Sequence, residues 1–432
     1  MKTLGFEFLK AIKKRTNIVA LLLTLLAVVS LYFFNYTVAE NIHEANTTRL
    51  QNDVLRIEGY VQAFLEEKEA AEEANNVEEA EELAMMVEEN ENLKIATQER
   101  ARAFEEEDWR TILEGDISDL QFQFDSSYGT DTPGHDIEGQ DTNWFTFRAT
   151  LEEKQFQLEN NLNPMIQNET DIAFLPTVYD NFTGRALEAW DNMTKRYGTT
   201  GYLFLYQVIQ YLYIPIIILI GCFIFGNSIS TEASMKRRGL HFYATLPVRR
   251  GTVYLTKFTS GFLYTVVFTF LMLGLPLLCS LFTGGTGGLD YPVLVYDGPT
   301  LNPFGEEYTQ LKVMEDTFHF ITLKEYFGYI VLFTILFALF IYSIYFVLSL
   351  FVKNPGITLF LTASILFIGM HFFQSPYSPF SYIDIHQIIN RAKLTETINL
   401  DYSYKIGIIL FPTIGIILAV LGYIKFRFRK LI

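Results

Sequence analysis

The chain has only two cysteines in 432 residues, Cys222 and Cys279, and both sit in apolar runs. That excludes a disulfide framework, and no paired-cysteine zinc spacing exists. The six histidines, His43, His135, His241, His319, His371 and His386, are scattered, with no two at ligand spacing. No metal site is expected from them. There is no G-x-x-x-x-G-K-[ST] phosphate loop, so the chain cannot bind ATP by that route, and no H-E-x-x-H or G-x-S-x-G motif appears either. The long apolar runs are almost free of Asp, Glu, Lys and Arg, which weighs against a proton relay or an intramembrane protease.

What is abundant is clustered apolarity. About six runs are long enough to cross a hydrocarbon core roughly 30 Å thick: Ile18–Phe34, Phe204–Phe225, Phe258–Phe282, Tyr326–Val352, Ile357–Phe373 and Ile406–Ile424. A soluble chain could bury one of them, not all. The expected fold is an all-α polytopic membrane protein with six transmembrane helices, at 18–37, 204–227, 258–283, 326–352, 357–373 and 406–424. Lys and Arg gather in the N-terminal 15 residues, in 228–257, at Lys353 and in the tail 425–432. By the positive-inside rule both termini face the cytoplasm of a cell membrane, and residues 38–203, 284–325 and 374–405 lie outside.

The formal charge of −16 conceals two populations. Segment 38–204 carries an excess of about 25 acidic residues and the remainder a net charge of about +9. Residues 40–113 lack proline and place Leu50, Val54, Ile57, Val61 and Phe64, then Leu83, Met86, Leu93 and Phe104, at helical spacing. A helical hairpin turning at Asn75-Asn76 is expected there, with one long helix or a partly disordered acidic tip as alternatives. Residues 115–142 are turn-rich and read as loop. Helical patterning resumes at Trp144–Leu162 and Phe182–Tyr197, so this large external domain is expected to be mainly helical. Residues 1–17 suit an interfacial helix on the inner leaflet, the plain alternative being a positively charged flank. Gly284–Gly288 reads as a flexible exit from the third span, Ile321–Phe327 as helical, and 384–394 as one short helix.

Between the second and third spans lies a basic island, Gly226–Lys257, with the lone acid Glu232 at its head. Ser230 or Thr231 is placed to cap a helix whose first turn holds Glu232. Lys236, Arg237 and Arg238 would fall near its end, Gly239 would stop it, and Pro247 would stop the next piece. The plain alternative is a set of positive anchors against anionic lipid.

The run from Glu232 through Lys236-Arg237-Arg238-Gly239 to Leu246-Pro247-Val248-Arg249-Arg250 and Lys257 resembles the coupling segment of ABC-2-type permeases. Leu240 and Arg249 depart from that pattern, standing where the family usually has Thr and often has Ser. The order of spans and the large domain after the first are also similar. The resemblance implies a permease subunit of a bacterial ABC exporter with no ATPase activity of its own. ATP and Mg would be bound by a separate ABC ATPase, coupled through Glu232, Lys236, Arg237, Arg238, Gly239, Leu246, Pro247, Arg249 and Arg250. A second permease copy or homologous permease and membrane lipid are the other implied partners, and nucleic acid is not one. The acidic domain would attract cationic peptides, so export of, or resistance to, a peptide, antibiotic or other amphiphile is expected; equally, the acids would simply keep an exposed hairpin soluble. An ABC-type ion exporter, or a non-transport sensor or scaffold signalling through the outer helices, are the rival functions.

Overall fold

The computed structural model describes residues 5, 13–126, 136–232, 249–298 and 317–428. Most of the N-terminal interfacial segment and all of 233–248 fall outside them. The dominant element is a single helix, α1 (Arg15–Glu73), 59 residues long. Its first part is apolar enough to cross a membrane, and its second is the Glu/Ala/Leu-rich stretch, with no proline to interrupt it.

Helix α1 ends where Asn75 takes a left-handed φ of 57° and the Asn76 N–H reaches back to Ala71 O at 2.9 Å. Asparagine tolerates that backbone better than most residues. The chain then returns antiparallel as α2 (Val77–Glu105), with Glu78 and Glu79 favourably placed in its first turn. Leu50, Ile57, Val61 and Ala71 are buried on α1; Ala80, Leu83, Val87, Ala101 and Phe104 are buried on α2. The spacings follow the helical period, so each arm supplies one apolar seam and leaves its glutamates in water.

At the base of this stalk lies a polar domain. It holds α3 (Trp109–Ser126), a two-residue ladder of β1 (Asp136–Ile137) and β2 (Gln140–Asp141), α4 (Trp144–Glu159) and α5 (Gly184–Thr194). Residues 115–126, which read as loop, are helical: Ile112, Leu113, Ile117 and Leu120 form a buried face that overrides the local turn propensity. The β1–β2 turn places both Glu138 and Gly139 at positive φ, as a tight hairpin requires. An aromatic core of Trp144, Phe145, Phe147, Phe174 and Trp190 fills the domain.

Two distant segments complete this domain. Strands β3 (Pro292–Tyr296) and β4 (Phe318–Thr322) pair antiparallel, Tyr296 opposite Phe318, and place Leu294, Tyr296 and Phe318 in the aromatic core. Ile321 and Thr322 are therefore strand rather than helix. The following helix α10 starts at Leu323, with the Thr322 hydroxyl accepting from Glu325 N at 3.4 Å. The Tyr296 N–H also reaches Asn390 O at 3.0 Å, which ties in the segment between the fifth and sixth spans. That segment is a 3-10 turn (Pro379–Tyr382) and two short helices, α12 (Ile385–Ile389) and α13 (Ala392–Glu396), split where Arg391 takes a φ of 63°. The expected single helix is thus two. The molecule is mainly helical, with these two small ladders added.

Among the described residues, six helical stretches are long and apolar enough to span a membrane. Besides α1 they are the second span, α9 (Arg250–Ser280), α10 (Leu323–Phe351), α11 (Pro355–Phe372) and α14 (Tyr404–Phe428). In the most apolar window of α10, 67% of residues are buried, against 17% in α1, so α10 is central and α1 peripheral. The second span is not one helix. It comprises α6 (Gly201–Gln210), α7 (Tyr213–Phe225) and α8 (Ser228–Glu232), with breaks at Leu212 (φ 59°) and Gly226–Asn227. The glycine-rich exit after α9 is held in place: Gly285 O and Thr286 O accept from the Gly201 and Tyr202 N–H groups at 3.0 and 2.9 Å, satisfying donors that the start of α6 would leave unpaired.

Candidate coupling site

The basic island emerges from the bundle at two roots, and each root is bonded into the spans. At the first, Asn227 turns the chain from α7 into α8. Its amide donates to Phe223 O at 2.6 Å, and its Oδ1 accepts from Lys14 Nζ at 2.8 Å, which fastens the start of α1 to this corner. Ser230 and Thr231 lie inside α8 rather than at its cap; the Thr231 hydroxyl donates back to Asn227 O at 2.9 Å. Glu232 closes the described part of α8 with its side chain buried, 2.9 Å from Lys257 Nζ, whose own side chain has no exposed surface.

The pair explains how α9 keeps a lysine among Tyr254, Phe258 and Gly261. Burying a lone ammonium is strongly unfavourable, and a carboxylate at contact distance offsets much of that cost. Tyr342 of α10 donates its hydroxyl to Lys257 O at 3.4 Å. At Gly261 that same hydroxyl leaves no room for a Cβ, so glycine is required for α9 and α10 to close on each other.

The second root is the start of α9. Arg249 stands at its N-cap with extended backbone, and both Arg249 and Arg250 are exposed. Arg250 Nη1 donates to Arg427 O at 2.9 Å, serving a carbonyl in the last turn of α14, where helices lack partners and favour cations. One turn on, Tyr254 OH donates to Ala419 O at 2.6 Å, with its ring against Phe258, Phe346, Tyr423 and Phe426. The returning end of the island is thereby fixed to the sixth span.

Of the residues singled out in the sequence, Glu232, Arg249 and Arg250 belong to this arrangement, and Lys236, Arg237, Arg238, Gly239, Leu246 and Pro247 lie outside the described residues. Glu232 was expected on a docking face; its carboxylate is instead committed to Lys257, at the root of the segment. The first-turn cap expected from Ser230 or Thr231 is replaced by a short helix containing both. Sequence reasoning missed Lys14, Asn227 and Tyr254. The available signal for the ion pair was that the lone acid and the lone cation entering an apolar run stand at opposite roots of one short loop.

Among the described residues no three His, Cys, Asp or Glu converge as a metal would need. His386, outside the spans, behaves as an ordinary buried ring. Its nitrogens meet Tyr326 OH at 3.0 Å and Asn390 Nδ2 at 3.1 Å, and burial pushes its pKa down to about 4. Cys222 and Cys279 are free and buried.

No curated protein and no solved structure matches the chain. The family described as ABC-2 family transporter protein matches residues 14–391, which take in the first five spans and the polar domain. A multi-pass bundle whose basic loop is bonded into three spans, together with that match, leads to one conclusion: the chain belongs to the ABC-2 transporter family and is the membrane permease component of an ABC transporter.

Proposed function

We propose that this permease is an exporter driven by a separate ABC ATPase that docks on segment 228–257 from the cytoplasm, with the stalk outside the cell. A second copy or a homologous permease completes the translocation path. The observation that carries this reading is the double anchoring of the loop. Glu232 bonds one root to α9, and Arg250 and Tyr254 bond the other to α14. A pull on 233–248 therefore reaches the second, third and sixth spans together, as a transmission element requires. Lys236, Arg237 and Arg238 are the docking cations in this reading, and Glu232 holds the element to the bundle.

Reversing Lys236, Arg237 and Arg238 to Glu tests it. Co-purification of the ATPase subunit should be lost while membrane insertion is unchanged. Undiminished ATPase recovery with the triple variant would overturn the docking assignment.

For the cargo, the reading is a cationic amphiphile such as a peptide. A groove of about 910 Å³ runs along the root of the stalk, where Glu99, Glu114, Asp119 and Asp171 stand beside Tyr60 and Leu93. Arg56 and Arg100 line the same groove. Partial desolvation, with Asp116 and Asp171, raises the Asp119 carboxyl above its ordinary pKa although Arg100 lowers it, so it is the acid there that a bound cation would favour most. A fluorescent cationic amphipathic peptide should bind the purified permease in nanodiscs more weakly when Glu99, Glu114 and Asp119 are neutralised. Equal binding would remove the groove from the reading.

A further inference from the structure

The second span is broken at Leu212, the third carries Pro276 inside its continuous helix, and one hydrogen bond joins the two places. In α9 the ring of Pro276 has no N–H to offer Met272 O, the carbonyl one turn earlier. That carbonyl is fully buried, and in hydrocarbon an orphaned carbonyl is strongly disfavoured. It accepts from Tyr213 OH at 3.0 Å. Tyr213 is the first residue of α7, directly after Leu212, whose left-handed φ of 59° breaks the second span. A branched residue rarely takes that backbone, so the break is held by its surroundings.

Above this bond, Gly201 of α6 lies against Leu277 and Ser280, beyond Pro276 on α9. The glycine loop that follows α9 closes onto the start of α6 through Gly285 O and Thr286 O. Below it, Gly221 of α7 lies against Thr265 and Phe268 of α9, each 3.0 Å from where a Cβ would be. The upper halves of the two spans pack on each other, and so do the lower halves, within one continuous core. The lower halves carry both roots of segment 228–257.

We infer that Tyr213 is a positioning residue for transport, pinning the Leu212 break of the second span to the proline turn of α9 so that the second and third spans flex at one shared hinge. Movement of segment 228–257 then bends both spans together instead of sliding one past the other. This rests on the transport reading only for its purpose; the hinge itself is a property of the permease alone.

The test is a double-mutant cycle on the full-length permease in nanodiscs, without any ATPase. Tyr213→Phe removes only the hydroxyl and should lower the melting temperature by about 2–4 °C. Pro276→Ala restores an N–H to Met272 O, so Tyr213→Phe added to Pro276→Ala should cause no further drop. The second readout is the distance between spin labels at Thr252→Cys and Asp290→Cys, on either side of the hinge, with Cys222 and Cys279 replaced by Ala. Tyr213→Phe should add a second distance population, and Pro276→Ala should collapse the distribution to a single narrow one. An equal melting drop in both backgrounds would overturn the inference, as would a distance distribution indifferent to Tyr213→Phe. Loss of ATPase docking in a separate experiment would overturn the proposed function and leave this cycle untouched.

Discussion

Charge is buried at two places in this molecule, and the two are built differently. At the stalk root, Asp116 meets Lys154 at 2.6 Å and Arg100 at 2.7 Å, while Arg100 also donates to Thr170 O and Asp171 O. Beside it Glu153 takes a forked pair from Arg196, 2.6 Å on each arm. Burial works against the Arg196 charge, and the Glu153 carboxylate more than offsets it, leaving the guanidinium pKa above its ordinary value. At the loop end Glu232 meets Lys257 at 2.9 Å, with both side chains buried among the spans. In the first, Asp116 and Arg100 each have more than one partner inside a folded domain, which suits a rigid strut. The second sits at the end of a span, where α8 gives way to residues 233–248.

The sharpest way to break this comparison is Glu153→Ala. It leaves Arg196 buried without its carboxylate and should destabilise the polar domain by about 3–5 kcal/mol, read from thermal or denaturant unfolding. A loss below about 1 kcal/mol would mean the network is not the strut. Lys257→Met strands Glu232 in the bundle and should cost about 3 kcal/mol. Adding Glu232→Leu should return most of that stability, since an apolar pair often replaces a buried ion pair without loss. The doubly apolar variant should nonetheless lose about tenfold in permease-stimulated ATP turnover, on the order of 1.4 kcal/mol. Full turnover in that variant would make the pair structural only.

A pH effect comes next in size. Burial raises Asp180 to about 6, partly countered by donors from Thr146 and Thr177. A carboxyl raised in the fold contributes stability that is fully present below about pH 4 and lost as pH climbs through 6. The polar domain should therefore be more stable at pH 4 than at pH 7, by on the order of 2 kcal/mol. Asp180→Asn should flatten that part of the profile, and an unchanged slope would assign it elsewhere. The smallest effect is expected at the stalk tip. Asn75→Ala forces an alanine into a φ of 57° and should cost about 1 kcal/mol, seen as faster proteolysis at the tip. Asn75→Gly should cost almost nothing.

Much of this architecture is legible in the residues, for reasons that differ by region. Spans show through as clustered apolarity, and the stalk as a helical period with one Asn-Asn interruption. Helix α3 does not, because Asp116, Ser118 and Asp119 resemble turn residues and the decisive fact, a face buried on α4, is tertiary. Strands β3 and β4 are separated by a long insertion, so nothing local announces that Tyr296 pairs with Phe318. At the coupling site, charge type and place were readable, but the direction of Glu232 was not. Which way a carboxylate turns depends on a lysine 25 positions later in sequence and one helix away in space. The Tyr213–Met272 bond was beyond reach for the same reason, although Pro276 by itself signals an unserved carbonyl.

The unbroken helix α1 has a mechanical consequence. Its 59 residues make a rod of roughly 90 Å, the far half of which is paired with α2 and stiffened by it. Its near end is held at Lys14 to Asn227, beside the coupling segment. A rod held at one end and free at its tip has gain: a tilt of about five degrees sweeps the tip through roughly 8 Å. Rearrangements among the spans too small to resolve within the bundle are thus magnified at Asn75, where a probe can read them from solution.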